Sequence, residues 1–322
     1  MTSLPVPIDR EHSEVERAAL IDEARTYIGA ARSPNTIRAY ASDWRHFTAW
    51  CQRHQLPSLP AEPETLVLYL TDLARTAKTA TIRRRLSAVS VAHQAAGEQP
   101  PTTDIAVRSA WAGIRRVNGT AQTAKSALLT EDIRRMVTAL PSTLIGQRDA
   151  CLLLLGFASA MRRSELVSLD LCDIEDTNDG LIITIRRSKT DQEGEGRQVG
   201  IPYGSDPRTC PVRAVRAWIA ASDILDGPLF RSVNRHGQLG AARLSDSSVA
   251  FVAKRSAQAV GIDPLTVAGH SLRSGMATSA ARAGATESSI MATTGHRSLP
   301  VLRRYIRRGS LFTDNAASRL GL

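Results

Sequence analysis

Hydrophobic residues recur at three- and four-residue intervals along most of this chain, a spacing that predicts helices. Residues 14–30 read as an amphipathic helix. From Ser33 to His54 the pattern predicts a second, with Ser33 as cap, Pro34 at the first helical position, and Ile37, Tyr40, Trp44, Phe47 and Trp50 turned to the core. Pro63 opens a third, over 63–76. A fourth over 79–97 turns Ile82, Leu86, Val89 and Val91 inward and leaves Arg83, Arg84 and Arg85 largely outside. A fifth covers 102–117. These five predict a small all-helical domain over 15–118, preceded by a flexible polar arm at 1–14.

Residues 119–128 are small and polar and read as a linker. A second domain, 129–308, opens on a helix with Thr130 as N-cap and Asp132 in its first turn. Residues 145–161 form a buried helix; their apolar run is too short to span a bilayer and is flanked by charge. A short helix and a turn follow. Residues 181–185 and 197–201 are strand-like around a glycine-rich turn, a hairpin and the one clear β region. Pro211 opens a helix that buries Val212, Val215, Trp218 and Ile219. Residues 229–244 read as a loop, and Ser245 caps the helix after it. Residues 279–295 pack a helix against the one that carries His270. The tail, 309–322, exposes Leu311, Phe312 and Leu320, and packs either on its own domain or on a neighbouring subunit. The fold class is mainly α with a small antiparallel β-sheet (α+β).

Composition narrows the partners. The chain has 322 residues, 43% of them hydrophobic, and a formal net charge of +10. Arginine far outnumbers lysine, whose members are Lys78, Lys125, Lys189 and Lys254. That balance favours a polyanion, nucleic acid before membrane; on charge alone, a basic soluble protein with a solvated surface stays open. Cys51, Cys151, Cys172 and Cys210 show neither CxxC pairing nor metal-ligand spacing and read as reduced core residues. The first twenty residues lack the apolar segment of a signal peptide. The expected setting is cytoplasmic, with no metal and no cofactor.

Two stretches carry the chemistry. Residues 268–308 bring His270, Arg273, His296 and Tyr305 close in sequence, and residues 158–170 supply Arg162 and Glu165. A phosphodiester is an anion whose transition state spreads more charge over its free oxygens. Guanidinium suits it, being always charged and able to grip two oxygens at once. His270 and Arg273, three apart, share one helix face. Gly269 and Ser271 suggest a helix start, whose free N–H groups also favour an anion. Arg303, Arg304, Arg307 and Arg308 surround Tyr305; an unassisted phenol titrates near ~10 and needs such help to attack. Arg83, Arg84, Arg85, Lys125, Ser247, Ser248, Lys254 and Arg255 are candidates for contact with DNA. His236 reads as a solvated loop residue, as does Lys189 on pattern alone.

The segments AMRRSEL, GHSLRSG, TGHRS and RRYIR, in that order, resemble the four boxes of the tyrosine recombinases and phage-type integrases, with the closest likeness to the Cre-like branch. Ala160 departs from a position that often holds glycine there, which leaves the resemblance intact. The resemblance implies a helical core-binding (SAM-like) domain followed by a catalytic domain. It implies that Tyr305 is the nucleophile of a 3′-phosphotyrosyl intermediate and that Arg162 and Arg273 hold the phosphate oxygens. His270 then assists proton transfer, His296 donates to a phosphate oxygen, Lys189 protonates the departing 5′ oxygen, and Glu165 supports Arg162. The partners implied are double-stranded DNA with inverted-repeat half-sites and a homotetramer that exchanges strands through a Holliday junction. The setting is at the nucleoid. A type IB topoisomerase-like enzyme, a non-catalytic DNA-binding architectural or regulatory protein, and a basic helical protein without a nucleic-acid role are the rivals.

Overall fold

The structure, a computed structural model, describes residues 17–23, 26–27, 31–120, 125–188, 191, 195–296, 298–300, 302–303, 305 and 320. The arm at 1–14, Lys189 and the tail except Leu320 lie outside them. The chain divides into two compact units, Met1–Thr123 and Ala124–Leu322.

The first unit is helical: residues 17–23, then α1 (Pro34–Arg53), α2 (Pro63–Ala74), α3 (Thr79–Ala95) and α4 (Ile105–Asn118). Phe47, Trp50, Leu66, Tyr69, Leu70, Ile82 and Val89 form its core. Ile37, expected inside, is 47% exposed, because burial on α1 begins only at Asp43, two turns from the start. Asp43 itself takes an inward place on the stripe 43/47/50/51, which polarity alone would assign to solvent. Its carboxylate accepts from Arg84 Nε and Nη2 at 2.6 and 3.0 Å. Arg85 Nε lies 3.7 Å away, and its side chain is mostly covered rather than outside.

The second unit is built around α6 (Leu144–Ala158), whose residues Cys151–Gly156 are all buried. A helix apolar on every side must sit inside, and α6 is covered by α5 (Thr130–Thr138), α8 (Pro211–Ser222) and α10 (Ser271–Arg282). Further helices of this unit are α7 (Arg163–Ser168), α9 (Asp246–Ala259) and α11 (Glu287–Thr294), and the described residues 299–300, 302–303 and 305 are helical. Leu129, not Thr130, is the cap of α5; the Leu129 N–H donates to Asp132 Oδ2 at 2.9 Å. The stretch read as a linker ends inside this unit. Ser126 and Leu128 donate their N–H groups to the carbonyls of Thr266 and Ser271, and Leu128 is buried.

Strands β1 (Ile174–Asp176), β2 (Gly180–Ile185) and β3 (Arg197–Pro202) form an antiparallel sheet, with Ile183 opposite Val199. Leu181, Ile183, Ile185, Val199 and Ile201 turn to the core. A second antiparallel pair, β4 (Arg231–Val233) and β5 (Leu239–Arg243), occupies the segment read as a loop. Its strands are short and rich in small or polar residues, so no alternation announced them. Cys51, Cys151 and Cys210 are buried, whereas Cys172 is exposed, its Sγ 3.1 Å from Arg186 Nη2. Among the described residues no helix is long and apolar enough to cross a membrane.

Candidate active site

Elements of the second unit converge on one polar centre. After α6 the backbone turns through Ala160, whose φ is +49°. Few residues other than glycine or asparagine adopt that conformation. The turn aims the Ala160 carbonyl at Arg273, whose Nη1 donates to it at 2.6 Å. A glycine would adopt this φ without strain, which gives the residue usual at this position of the resembled motif a backbone reason.

Arg162 caps α7. Its N–H donates to Glu165 Oε2 at 2.9 Å and its guanidinium pairs with Oε1. Glu165 is only 2% exposed. Arg197 Nη2 lies 3.9 Å from the same carboxylate. Arg163, beside it, reaches the other way, to Asp246 Oδ2 at 3.5 Å.

His270 caps α10, and Arg273 follows within its first turn, 1% exposed. Gly275 lets this helix approach Leu128: a Cβ there would lie 1.8 Å from the Leu128 carbonyl oxygen. Helix α11 ends on Gly295 at φ +64°, the left-handed cap that glycine takes without strain. Arg197 lies across that glycine, where a Cβ would come within 2.8 Å of its Nε, and its Nη1 donates to the Thr293 carbonyl at 3.0 Å. His296 follows at once, its Nδ1 2.7 Å from Thr294 Oγ1. The Tyr305 hydroxyl lies 2.7 Å from His270 Nε2, and the Tyr305 ring is 5.9 Å from the His270 ring and 5.8 Å from that of His296.

Arg162, Arg197 and Arg273 thus gather around one buried carboxylate, a positive excess that suits an anion. The titrations follow. Burial, then the neighbouring Arg162, pushes Arg273 down to about 10. Burial lowers Arg197 against the opposing pull of Glu165. Burial, then Arg273, Arg162, His270 and Arg197, pushes His296 down to about 4. Burial, then Arg273, Arg162 and Arg163, lowers His270. Both imidazoles are held neutral, able to take a proton. Arg273 Nη2 is buried with no hydrogen-bond partner among the described residues, a strong donor for a charged oxygen.

The structure therefore brings Arg162, Glu165, His270, Arg273, His296 and Tyr305 together. Lys189 lies outside the described residues; its neighbours Ser188 and Asp191 line a cleft with Arg197 and His296. Arg303 does not face the phenol but pairs with Glu287, Nε to Oε1 at 3.1 Å. Arg304, Arg307 and Arg308 lie outside the described residues. Arg197 was missed from sequence, although a signal exists: the alternation that buries Val199 and Ile201 carries Arg197 to the same side. Among the described residues no three His, Cys, Asp or Glu side chains group as metal ligands do.

The DNA-contact candidates divide. Arg83 is exposed in the first unit and lines a groove with Trp111 and Arg115. Arg84 and Arg85 are turned to Asp43. Lys125 Nζ donates to the Leu265 carbonyl at 2.6 Å. On α9, Ser247 and Ser248 hydroxyls meet that of Ser245 at 2.8 and 2.9 Å, and Lys254 is exposed. Arg255 pairs with the fully buried Asp149, which Arg148 also holds at 2.7 Å.

Residues 126–310 match the phage integrase family, and residues 26–99 match the phage integrase N-terminal SAM-like domain. The chain is 42% identical to an integrase/recombinase XerD homologue of Selenomonas ruminantium, over 95% of this chain and 90% of that protein. It is 29% identical to the recombinase Cre of Escherichia phage P1, over 94% and 91%. In fold it is similar to the XerH site-specific recombinase in a post-cleavage complex with a palindromic difH substrate. That match has a TM-score of 0.60 at 17% identity, over 81% of this chain and 73% of that one. It is likewise similar to a lambda integrase dimer bound to a COC′ core site, with a TM-score of 0.59 at 18% identity, over 92% and 76%.

Proposed function

Since the chain belongs to the phage integrase family of tyrosine recombinases, we propose that it cuts and rejoins duplex DNA at specific sites through a 3′-phosphotyrosyl link to Tyr305. The observation that carries this reading is the 2.7 Å approach of the Tyr305 hydroxyl to His270 Nε2 beside the buried Arg273. A neutral imidazole at that distance can take the phenol's proton as the oxygen attacks phosphorus. Arg162 and Arg273 hold the non-bridging oxygens, with Glu165 orienting Arg162. His296 contacts a phosphate oxygen. Lys189 delivers a proton to the departing 5′ oxygen. The ester conserves the energy of the broken bond, so rejoining needs no nucleotide.

The assembly is four protomers on two duplexes with inverted-repeat half-sites, exchanging strands through a Holliday junction. The helical domain, residues 15–118, and the catalytic domain, residues 129–308, both bind duplex, and residues 309–322 dock on a neighbouring protomer. The reaction takes place in the cytoplasm, at the nucleoid.

A nicked suicide duplex tests this. The full chain is expected to form a covalent adduct that Tyr305→Phe abolishes, with its fold kept. Absence of an adduct on duplexes drawn from the DNA flanking the gene would sink the enzymatic reading. Relaxation of supercoils without recombinant products would favour a type IB topoisomerase-like enzyme.

A further inference from the structure

The hydrogen bonds at the end of α11 decide which nitrogen of His296 carries the proton. Thr294 is buried, and its hydroxyl lies 2.7 Å from the Ile290 carbonyl oxygen. A carbonyl can only accept, so the hydroxyl hydrogen points there. The hydroxyl oxygen is left as an acceptor, and the atom at 2.7 Å on its other side is His296 Nδ1. Nδ1 must therefore be the donor, and in a neutral imidazole the other nitrogen then holds a lone pair.

We propose that Thr294 is a positioning residue that holds neutral His296 as its Nδ1–H tautomer, so that Nε2 meets a bound anion bare and must take up one proton before it can donate there. This rests on the reading of the site as a phosphate site. Bare nitrogen against a phosphate oxygen sets two lone pairs face to face, and protonation removes that conflict. The proton comes from solvent as the anion binds, and it ends on Nε2. His296 is faced by His270 and Arg273 from α10, Arg162 from the start of α7, Arg197 from β3 and Tyr305. Asp191 from the hairpin turn lines the same cleft. The cations keep the free imidazole neutral, and a bound anion offsets them.

The test uses the full chain with nitrogen-15 histidine, the His296 signals being assigned by their loss in His296→Gln. Near neutral pH the wild-type ring is expected to give the Nδ1–H pattern, Thr294→Ser the same, and Thr294→Val the Nε2–H pattern or a mixture. Valine keeps the branched shape, so matched melting curves separate the tautomer from misfolding, and serine restores the hydroxyl if valine does not fold.

Sulfate, a dianion throughout the range used, is the probe of the anion site. Its affinity for wild type is expected to rise as pH falls, approaching about tenfold per unit for one proton taken up. The slope is expected to be weaker in Thr294→Val. A wild-type Nε2–H pattern, or a pattern unmoved by Thr294→Val, would overturn the tautomer assignment. A sulfate affinity flat with pH, or no sulfate binding, would overturn the proton uptake. Neither measurement uses DNA, so either failure is separable from failure of the suicide-duplex experiment.

Discussion

Arg273 Nη1 and the Ala160 carbonyl meet at 2.6 Å across 113 positions of sequence. This bond joins the two stretches that carry the chemistry, and it depends on the left-handed turn at Ala160. An L-residue in that region gives up about 1–2 kcal/mol. Glycine avoids this cost but loses roughly 0.5–1 kcal/mol through the greater freedom of its unfolded chain. Ala160→Gly is therefore expected to be neutral or to stabilise by about 1 kcal/mol with cleavage unchanged. Ala160→Val, with a β-branch in the same turn, is expected to lower both the melting temperature and the yield of adduct. Denaturant titration and adduct assays read both.

Glu165 is the buried counter-charge to Arg162 and Arg197. Removing one partner of a buried pair leaves the other charge uncompensated, which costs about 3 kcal/mol. Glu165→Gln is expected to lower stability by about that much and to slow cleavage more than it weakens duplex binding. A loss of affinity with an unchanged cleavage rate would contradict the orienting role.

The pH dependence of stability follows from His296. Its folded pKa, about 4, lies below the ordinary 6.5. Between those values the unfolded chain binds a proton that the folded chain does not, so stability rises with pH across the window. The contribution is complete above pH 6.5 and lost as pH falls through about 4. His270 is lowered too and adds in the same direction. His296→Gln is expected to flatten the slope between those limits in chemical denaturation carried out at several pH values.

Two arginines taken together from sequence are expected to behave differently. Arg83 is exposed beside Trp111 and Arg115, so Arg83→Ala should weaken duplex binding and reduce its salt slope by about 1. Arg255 is turned to the buried Asp149. Arg255→Ala removes a charged hydrogen bond and should lower stability by roughly 1–3 kcal/mol, while the salt slope stays as in wild type. Titrations at several salt concentrations, with melting curves alongside, distinguish the two.

Local features were legible along the chain. The three- to four-residue spacing placed the helices. Pro34, Pro63 and Pro211 marked three of their starts, and alternation marked the β2–β3 hairpin. The four motif segments were readable because each residue sits at a set interval from its neighbours. Folding settled the rest. It put Asp43 in the core by bringing Arg84 onto it, and it drew β4 and β5 into register. It carried Arg197 to the turn before His296, and it closed the Ala160–Arg273 bond. The reason is physical: spacing along a chain reports which face of an element is apolar, whereas a buried charge or a carbonyl turned on a distant guanidinium is stable only once its partner arrives.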